Sequence, residues 1–244
     1  MELKPIVALD LSDVSEALNL VHLLRPLIDF FKVGSQLFMA GGADIIKKII
    51  DSGADVFLDL KFHDIPKTVF RAVSEAVKLK VKFTTVHVLG GEEMLREAVA
   101  AAAGSYTEII GVTVLTSAEQ KTLERVGIDR PVEEEVRLLT RLALEAGLKG
   151  IVCSGRELVT VRKLEKQPDY IVVPGIRWEK LTGDDQKRTI GPQEAATLGA
   201  THIVVGRSIL QAYDKLGLVR KLLSELKKDK LQEKLNEEKN NFFA

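Results

Sequence analysis

One cysteine, Cys153, stands among 244 residues, so the chain cannot form a disulfide within itself. A lone thiol suits a reducing compartment, and the cytoplasm is the expected location. Net charge is missing as well. Lys plus Arg is 35 and Asp plus Glu is 35, for a formal charge of +0. That balance gives no long-range pull towards nucleic acid or anionic membrane, and neither is expected as a partner. It leaves room for a local basic pocket that grips one phosphate. No apolar run approaches the ~20 residues of a membrane span. The opening MELKPIVALDLSD lacks the shape of a signal peptide, because Asp10 ends its short apolar run. There is no G-x-G-x-x-G and no G-x-x-x-x-G-K-[ST], and no internal repeat, linker or low-complexity block.

Against these absences, hydrophobic residues make up 45% and charged residues 29%, enough for a buried core under a solvated surface. Eight short apolar runs recur: Ile6 to Leu9, Phe30 to Val33, Val56 to Leu60, Phe83 to Val88, Ile109 to Val114, Gly150 to Cys153, Tyr170 to Val173 and Ile203 to Val205. They are too short for helices and too uniformly apolar for a sheet with one wet face, so they predict strands buried on both sides. Amphipathic stretches lie between them. Val14 to Leu24 follows the candidate caps Ser12 and Asp13, Glu92 to Ala103 is a second, and Val132 to Ala146 closes at Gly147. Strict β/α alternation predicts a parallel sheet. Eight units in this length predict a TIM (β/α)8 barrel, in one domain over residues 1–244. A doubly wound open sheet is the alternative, and it more often carries a glycine-rich fingerprint. From about residue 224 the chain becomes a highly charged segment with leucines at helical spacing, read as a solvated helical tail.

Active sites of TIM barrels lie at the C-terminal ends of the strands. The strand-end positions here are Asp10, Lys32, Asp59 with Lys61 and Asp64, His87, Thr116 with Ser117, Ser154, Pro174 to Arg177, and Gly206 with Arg207. Side chains two apart on a strand share a side, so Asp59 and Lys61 are expected together with Leu60 facing away. Lys32 ends the neighbouring strand. Ammonium and carboxylate groups alternating at a partly dry mouth keep one another ionised. One such pair reads as a structural salt bridge; four charges on adjacent strand ends read as a functional site. His63 and His87 lack any zinc spacing and read as packing or hydrogen-bonding residues. Cys153, within Ile151-Val152-Cys153, reads as a small buried hydrophobe.

The segments ALD (8–10), FFKVG (30–34), DLKFHDIPKTV (59–69), LTS (115–117), VVPGIR (172–177) and VVGRSI (204–209) resemble the orotidine 5'-monophosphate decarboxylases of the bacterial type, over about Ile6 to Tyr213. The D-x-K-x-x-D core is shared with a wider group of phosphosugar decarboxylases and synthases. The continuation Ile65-Pro66-x-Thr68 is more specific to the orotidylate enzymes. Lys67 departs from the pattern, where Asn is the more usual residue.

The resemblance implies a carboxy-lyase that converts orotidine 5'-phosphate to uridine 5'-phosphate and CO2, with no metal and no cofactor. It implies Lys61 as proton donor to C6 and Asp59 beside the substrate carboxylate, with Lys32 and Asp64 completing the array. Asp64, Ile65 and Thr68 are implied to enter the site of a second subunit, hence a homodimer with shared active sites. Asp64 is also placed to cap the following helix. Asp10 is implied on a ribose hydroxyl, with capping of the first helix as its plainer role. Gly206, Arg207 and Arg177 are implied on the phosphate, beside Pro174 and a mobile Gln186. Thr116 and Ser117 are implied at the pyrimidine edge, or as helix caps. Two other readings stay open here: a metal-dependent phosphosugar decarboxylase or synthase, with Mg2+ on the D-x-K-x-x-D carboxylates, and a non-catalytic nucleotide-binding barrel.

Overall fold

The computed structural model describes residues 3–178 and 188–227. Eight parallel strands close into a barrel in sequence order. They are β1 Lys4–Ala8, β2 Phe30–Gly34, β3 Asp55–Phe62, β4 Phe83–His87, β5 Glu108–Val112, β6 Gly150–Val152, β7 Tyr170–Val173 and β8 His202–Val205. The helices outside them are α1 Val14–Leu24, α2 Ser35–Asp51, α3 Pro66–Lys78, α4 Gly91–Ala102, α5 Gln120–Arg125, α6 Val132–Glu145, α7 Leu158–Arg162, α8 Pro192–Thr197 and α9 Arg207–Leu210. Residues 215–227 are also helical, so the first part of the expected tail continues a helix; the rest of it lies outside the described residues. Every expected strand is present, with ends shifted by no more than two residues. The open-sheet alternative is excluded by the pairing of β1 with β8.

Local signals explain the helix ends. Asp13 caps α1, its Oδ1 accepting the Glu16 N–H at 2.8 Å. That frees Asp10 from the capping role. α6 stops where Gly147 turns back at φ +99°.

Two separate apolar layers result from the strand period of two. Residues such as Val7, Phe31, Val33, Val56 and Leu58 point outwards and pack under the helices in the larger core. Ile6, Phe30, Phe57, Phe83, Ile110, Val172 and Val204 point into the barrel and fill its interior. Phe83 meets Phe30 at 5.2 Å and Phe57 at 5.9 Å, both edge to face. Two residues further along the same strands stand Lys32, Asp59 and Thr85. The aromatic layer is therefore the floor on which the charged mouth rests.

Below that floor His202 is sealed in, 2% exposed, against Phe83, Tyr170 and Phe30. Its Nδ1 meets the Thr201 hydroxyl at 2.9 Å. Burial, then the nearby Lys4 and Lys82, push the imidazole down from 6.5 to about 4. The unfolded chain takes up a proton near pH 6.5 that the folded chain refuses until about pH 4. Stability should therefore fall as pH drops through that window, by roughly 3 kcal/mol for this group. In His202→Phe the dependence of the urea midpoint on pH between 6.5 and 4 should flatten; a slope equal to wild type would refute the assignment.

Candidate active site

The site starts with a carboxylate that has little access to water. The Asp59 side chain is 12% exposed, and three donors surround it. Lys61 Nζ donates to Oδ1 at 2.8 Å, Thr85 Oγ1 donates to the same oxygen at 3.0 Å, and Lys32 Nζ lies 3.7 Å from Oδ2. Lys32 in turn donates to Asp10 Oδ1 at 2.9 Å. The result is a chain of alternating sign: Asp10, Lys32, Asp59, Lys61. Burial alone would raise the Asp59 carboxyl. Lys32, then Lys61, then hydrogen bonds from Lys61 and Thr85 outweigh it and hold the group below the ordinary carboxylate value.

Strand register explains Lys32 and Asp59. Ala8 and Phe57 pair with Lys32 and Gly34 pairs with Asp59, so Asp10 and Asp59 stand two residues beyond the row of Lys32, whose long side chain reaches up between them. A Cβ on Gly34 would lie 3.0 Å from Lys32 Nζ, so glycine leaves the ammonium room to fold back over its own strand.

Lys61 reaches Asp59 by a route that simple alternation does not describe. Pairing between β3 and β4 runs from Leu58 with Thr84 to Phe62 with Val86. Residues 59 to 61 therefore face the single residue Thr85, which is a bulge. Lys61 itself has φ +52°, in the left-handed region that a side chain normally avoids. Its backbone N–H donates to Thr85 Oγ1 at 2.8 Å. One threonine hydroxyl thus supports the unusual backbone and binds the carboxylate at once. Strain held at a residue by surrounding bonds is a common mark of a functional position.

The array forms part of the wall of a cavity at the C-terminal mouth of the barrel. Asp10, Lys32, Asp59, Lys61, Thr116, Pro174, Arg177, Gly206 and Arg207 all line it, over apolar side chains from β3, β5, β6, β7 and β8. Arg177 is 6% exposed, with Nη1 donating to the Ile176 carbonyl at 2.9 Å. The mouth thus joins a carboxylate held between ammonium groups to two arginines after β7 and β8.

Residues 4–222 match the family described as "Orotidine 5'-phosphate decarboxylase / HUMPS family". The chain belongs to this family. It is 70% identical to the protein named orotidine 5'-phosphate decarboxylase from Methylacidiphilum infernorum, over 93% of this chain and 98% of that one. It is 43% identical to the one so named from Syntrophotalea carbinolica, over 91% and 94%. Among solved structures, the orotidine 5'-phosphate decarboxylase of Lactobacillus acidophilus superposes with a TM-score of 0.79 at 33% identity, covering 92% of this chain and 99% of that one.

Not every residue expected from the orotidylate decarboxylase pattern joins the cavity. Asp64, Ile65 and Thr68 are exposed on the outer rim and do not line it. Asp64 Oδ1 accepts the Ile65 N–H at 2.7 Å, and Ile65 is 68% exposed. Within one chain, then, Asp64 does not complete the array. Nor does it cap α3: Pro66 opens that helix, which moves the cap to Ile65. Ser117 is exposed and does not line the cavity, whereas Thr116 does. Neither caps α5, whose N-cap is Glu119. Gln186 lies outside the described residues. Lys67, at the departure from the family pattern, pairs with Glu97 at 2.7 Å on the surface.

The two histidines sit beside the array. Their rings are 5.5 Å apart, and His87 Nδ1 is buried without a partner among the described residues. Burial, then His63 and Lys61, lower the His87 imidazole against the opposing effect of Asp59. Cys153 is fully buried, and its thiol is pushed far up by that burial. Thr85 is the residue that the sequence reading missed. It was in principle visible, two positions after the inward Phe83.

Thr85→Val keeps the shape of the side chain and removes both hydrogen bonds. The cost should be about 1–3 kcal/mol in urea unfolding, and Thr85→Ser should restore most of it. Equal stability of the Val and Ser variants would show that the hydroxyl does not hold the bulge.

Proposed function

We propose that this chain binds orotidine 5'-phosphate in the mouth cavity and releases CO2 to give uridine 5'-phosphate, a step of pyrimidine biosynthesis. The observation that carries this reading is the Lys61–Asp59–Lys32 array in one cavity with Arg177 and Arg207. The relatives that share the chain at up to 70% identity carry the matching name. No observation favours a phosphosugar synthase or a mere binder.

The chemistry follows from charge. Breaking the C6–CO2 bond leaves its electron pair on C6 of the pyrimidine, where the ring offers no ordinary sink. The Lys61 ammonium beside C6 stabilises that pair and then transfers a proton to it. Lys61 is left as a neutral amine and regains its proton from solvent. Asp59 keeps the ammonium charged and in place. In this reading it also lies beside the substrate carboxylate, so repulsion eases as the negative charge moves to carbon. Lys32 counters the excess negative charge and bridges to Asp10, whose second oxygen suits a ribose hydroxyl. Arg177, Arg207 and the Gly206 backbone suit the phosphate, as loops after the last two strands of this fold often do. Pro174 forms wall beside them, Thr116 and Ser117 suit the pyrimidine edge, and Gln186 suits the phosphate.

Asp64, Ile65 and Thr68 are assigned to the site of a second copy. Their exposure, which leaves them accessible to a second chain, supports that assignment. The working unit is then a homodimer of single-domain chains, located in the cytoplasm. Among the described residues no helix is long and apolar enough to cross a membrane.

Lys61→Ala should reduce turnover by about 10⁴-fold or more while the Kd for uridine 5'-phosphate stays within roughly tenfold. Appreciable residual turnover, followed by loss of the orotate absorbance, would remove the proton-donor role. Arg207→Ala should weaken the nucleotide by about 10- to 100-fold and leave uridine nearly unchanged. Equal losses for both would remove the phosphate role. Activity should survive a strong chelator; its loss there, restored by a divalent cation, would favour metal-assisted chemistry.

A further inference from the structure

One buried cation at the mouth has no part in the reading above. Arg188 is 4% exposed. Its Nη1 donates to Glu157 Oε1 at 2.6 Å, and its Nη2 donates to the carbonyls of Leu115 at 2.7 Å and Val114 at 3.3 Å. Glu157 is equally buried, and its Oε2 accepts the backbone N–H of Ser154 at 3.1 Å. One guanidinium therefore ties together the chain beyond β5, the turn after β6 and the return from β7.

The return from β7 is itself sewn to the phosphate side. The Arg177 N–H donates to the Ile190 carbonyl at 3.0 Å, and the Ile190 N–H donates to the Gly175 carbonyl at 3.3 Å. Gly155 lies so close to Ile190 that a Cβ would collide with it. On the other side, Leu115 is followed directly by Thr116, which lines the cavity. Arg188 thus connects the segment carrying Thr116 with the segment carrying Gly175 and Arg177.

A buried ion pair is a poor device for stability, because desolvation consumes most of its Coulomb gain. It is a good device for orientation. The planar fork of an arginine fixes two carbonyls and a carboxylate at set angles, which an ammonium cannot do. We propose that Arg188, locked by Glu157, is a positioning residue that sets the distance between the pyrimidine end and the phosphate end of the bound nucleotide. The proposal rests on the decarboxylase reading of the cavity. It holds that the two ends of one ligand are gripped together only while this fork is in place, so its removal costs the ligand its preorganised fit.

The test compares uridine 5'-phosphate, which spans both ends, with ribose 5-phosphate, which needs only one. The double variant Arg188→Met with Glu157→Gln strands no buried charge, and Gln still accepts the Ser154 N–H. Its thermal midpoint should stay near wild type. Its Kd for uridine 5'-phosphate, by calorimetry, should rise tenfold or more while that for ribose 5-phosphate stays within threefold, and kcat should fall with it. Arg188→Lys, which keeps the charge but not the fork, should show the same selective loss. If the two ligands weaken by the same factor in a folded variant, or neither weakens, the positioning role is wrong. Failure of both variants to fold would assign Arg188 to the fold alone and overturn the proposal equally. Wild-type protein run in parallel separates the levels. Wild type that neither binds uridine 5'-phosphate nor decarboxylates would sink the decarboxylase reading. Competent wild type with an unchanged ligand ratio in the variants would sink only this inference.

Discussion

A carboxylate that is taken out of water stays ionised only if cations replace the water, and Asp59 sets that condition for the whole mouth. Its side chain rests on the Phe57 and Phe83 layer and is nearly closed to solvent. Two ammonium groups must then be held within reach, one from each side. The neighbouring strand supplies Lys32 in ordinary geometry. Its own strand supplies Lys61 through a break in its regular pairing with β4. Gly34 and Thr85 follow from the same requirement: glycine clears space for one ammonium, and threonine supports the backbone that delivers the other. The positive φ of Lys61 is a local cost, of order 1–3 kcal/mol by the usual scale. It is offset by the hydrogen bonds that Lys61 makes to Thr85 through its backbone and to Asp59 through its ammonium.

The same electrostatics links function to acid stability. Because Asp59 is depressed, its contribution to stability is present above the unfolded carboxylate value and is lost as pH falls through the folded value. His202, beneath the aromatic floor, resists protonation in the same acid direction but for the opposite reason. Asp59 must stay charged, and His202 must stay neutral. Both conditions hold at neutral pH and fail in acid. The floor of phenylalanines separates the two, and it gives the mouth its low-dielectric base while forming the interior of the barrel.

What the sequence made legible followed from periodicity. Apolar β-branched runs gave all eight strands, and the strand-end rule gave Asp10, Lys32 and Asp59, because Lys32 sits in a regularly paired strand and Asp10 and Asp59 stand at or just past the last regular pairs of theirs. Lys61 was found for a reason that proved incomplete. A lysine in the left-handed region carries no sequence mark, since the usual mark is glycine. Thr85 could have been read from its place two residues past Phe83, but threonine is common in strands for reasons of shape alone. Asp64 as a helix cap misled because the proline at 66 fixes the cap one residue later. Glu157 was half visible, since Ser154-x-x-Glu157 is a capping-box pattern and the structure shows it as one. Its second partner, Arg188, lies 31 residues away, and the side-by-side pairing of β6 and β7 brings the segments that follow them together.

Exposure across the array is uneven in a way that suits the chemistry. Asp59 is 12% exposed, Lys61 36% and Asp10 50%. A group that acts by being charged in a dry place gains from burial, because its field is least screened there. In the proposed reaction Lys61 gives up a proton at every turnover and must regain one, so it needs a path to water. Placing Asp59 on the dry floor and Lys61 on the wetter side meets both needs with residues two positions apart. On a regular strand the two would stand in line along one face. The bulge at residues 59 to 61 lets them keep a 2.8 Å contact while Lys61 retains its greater access to water.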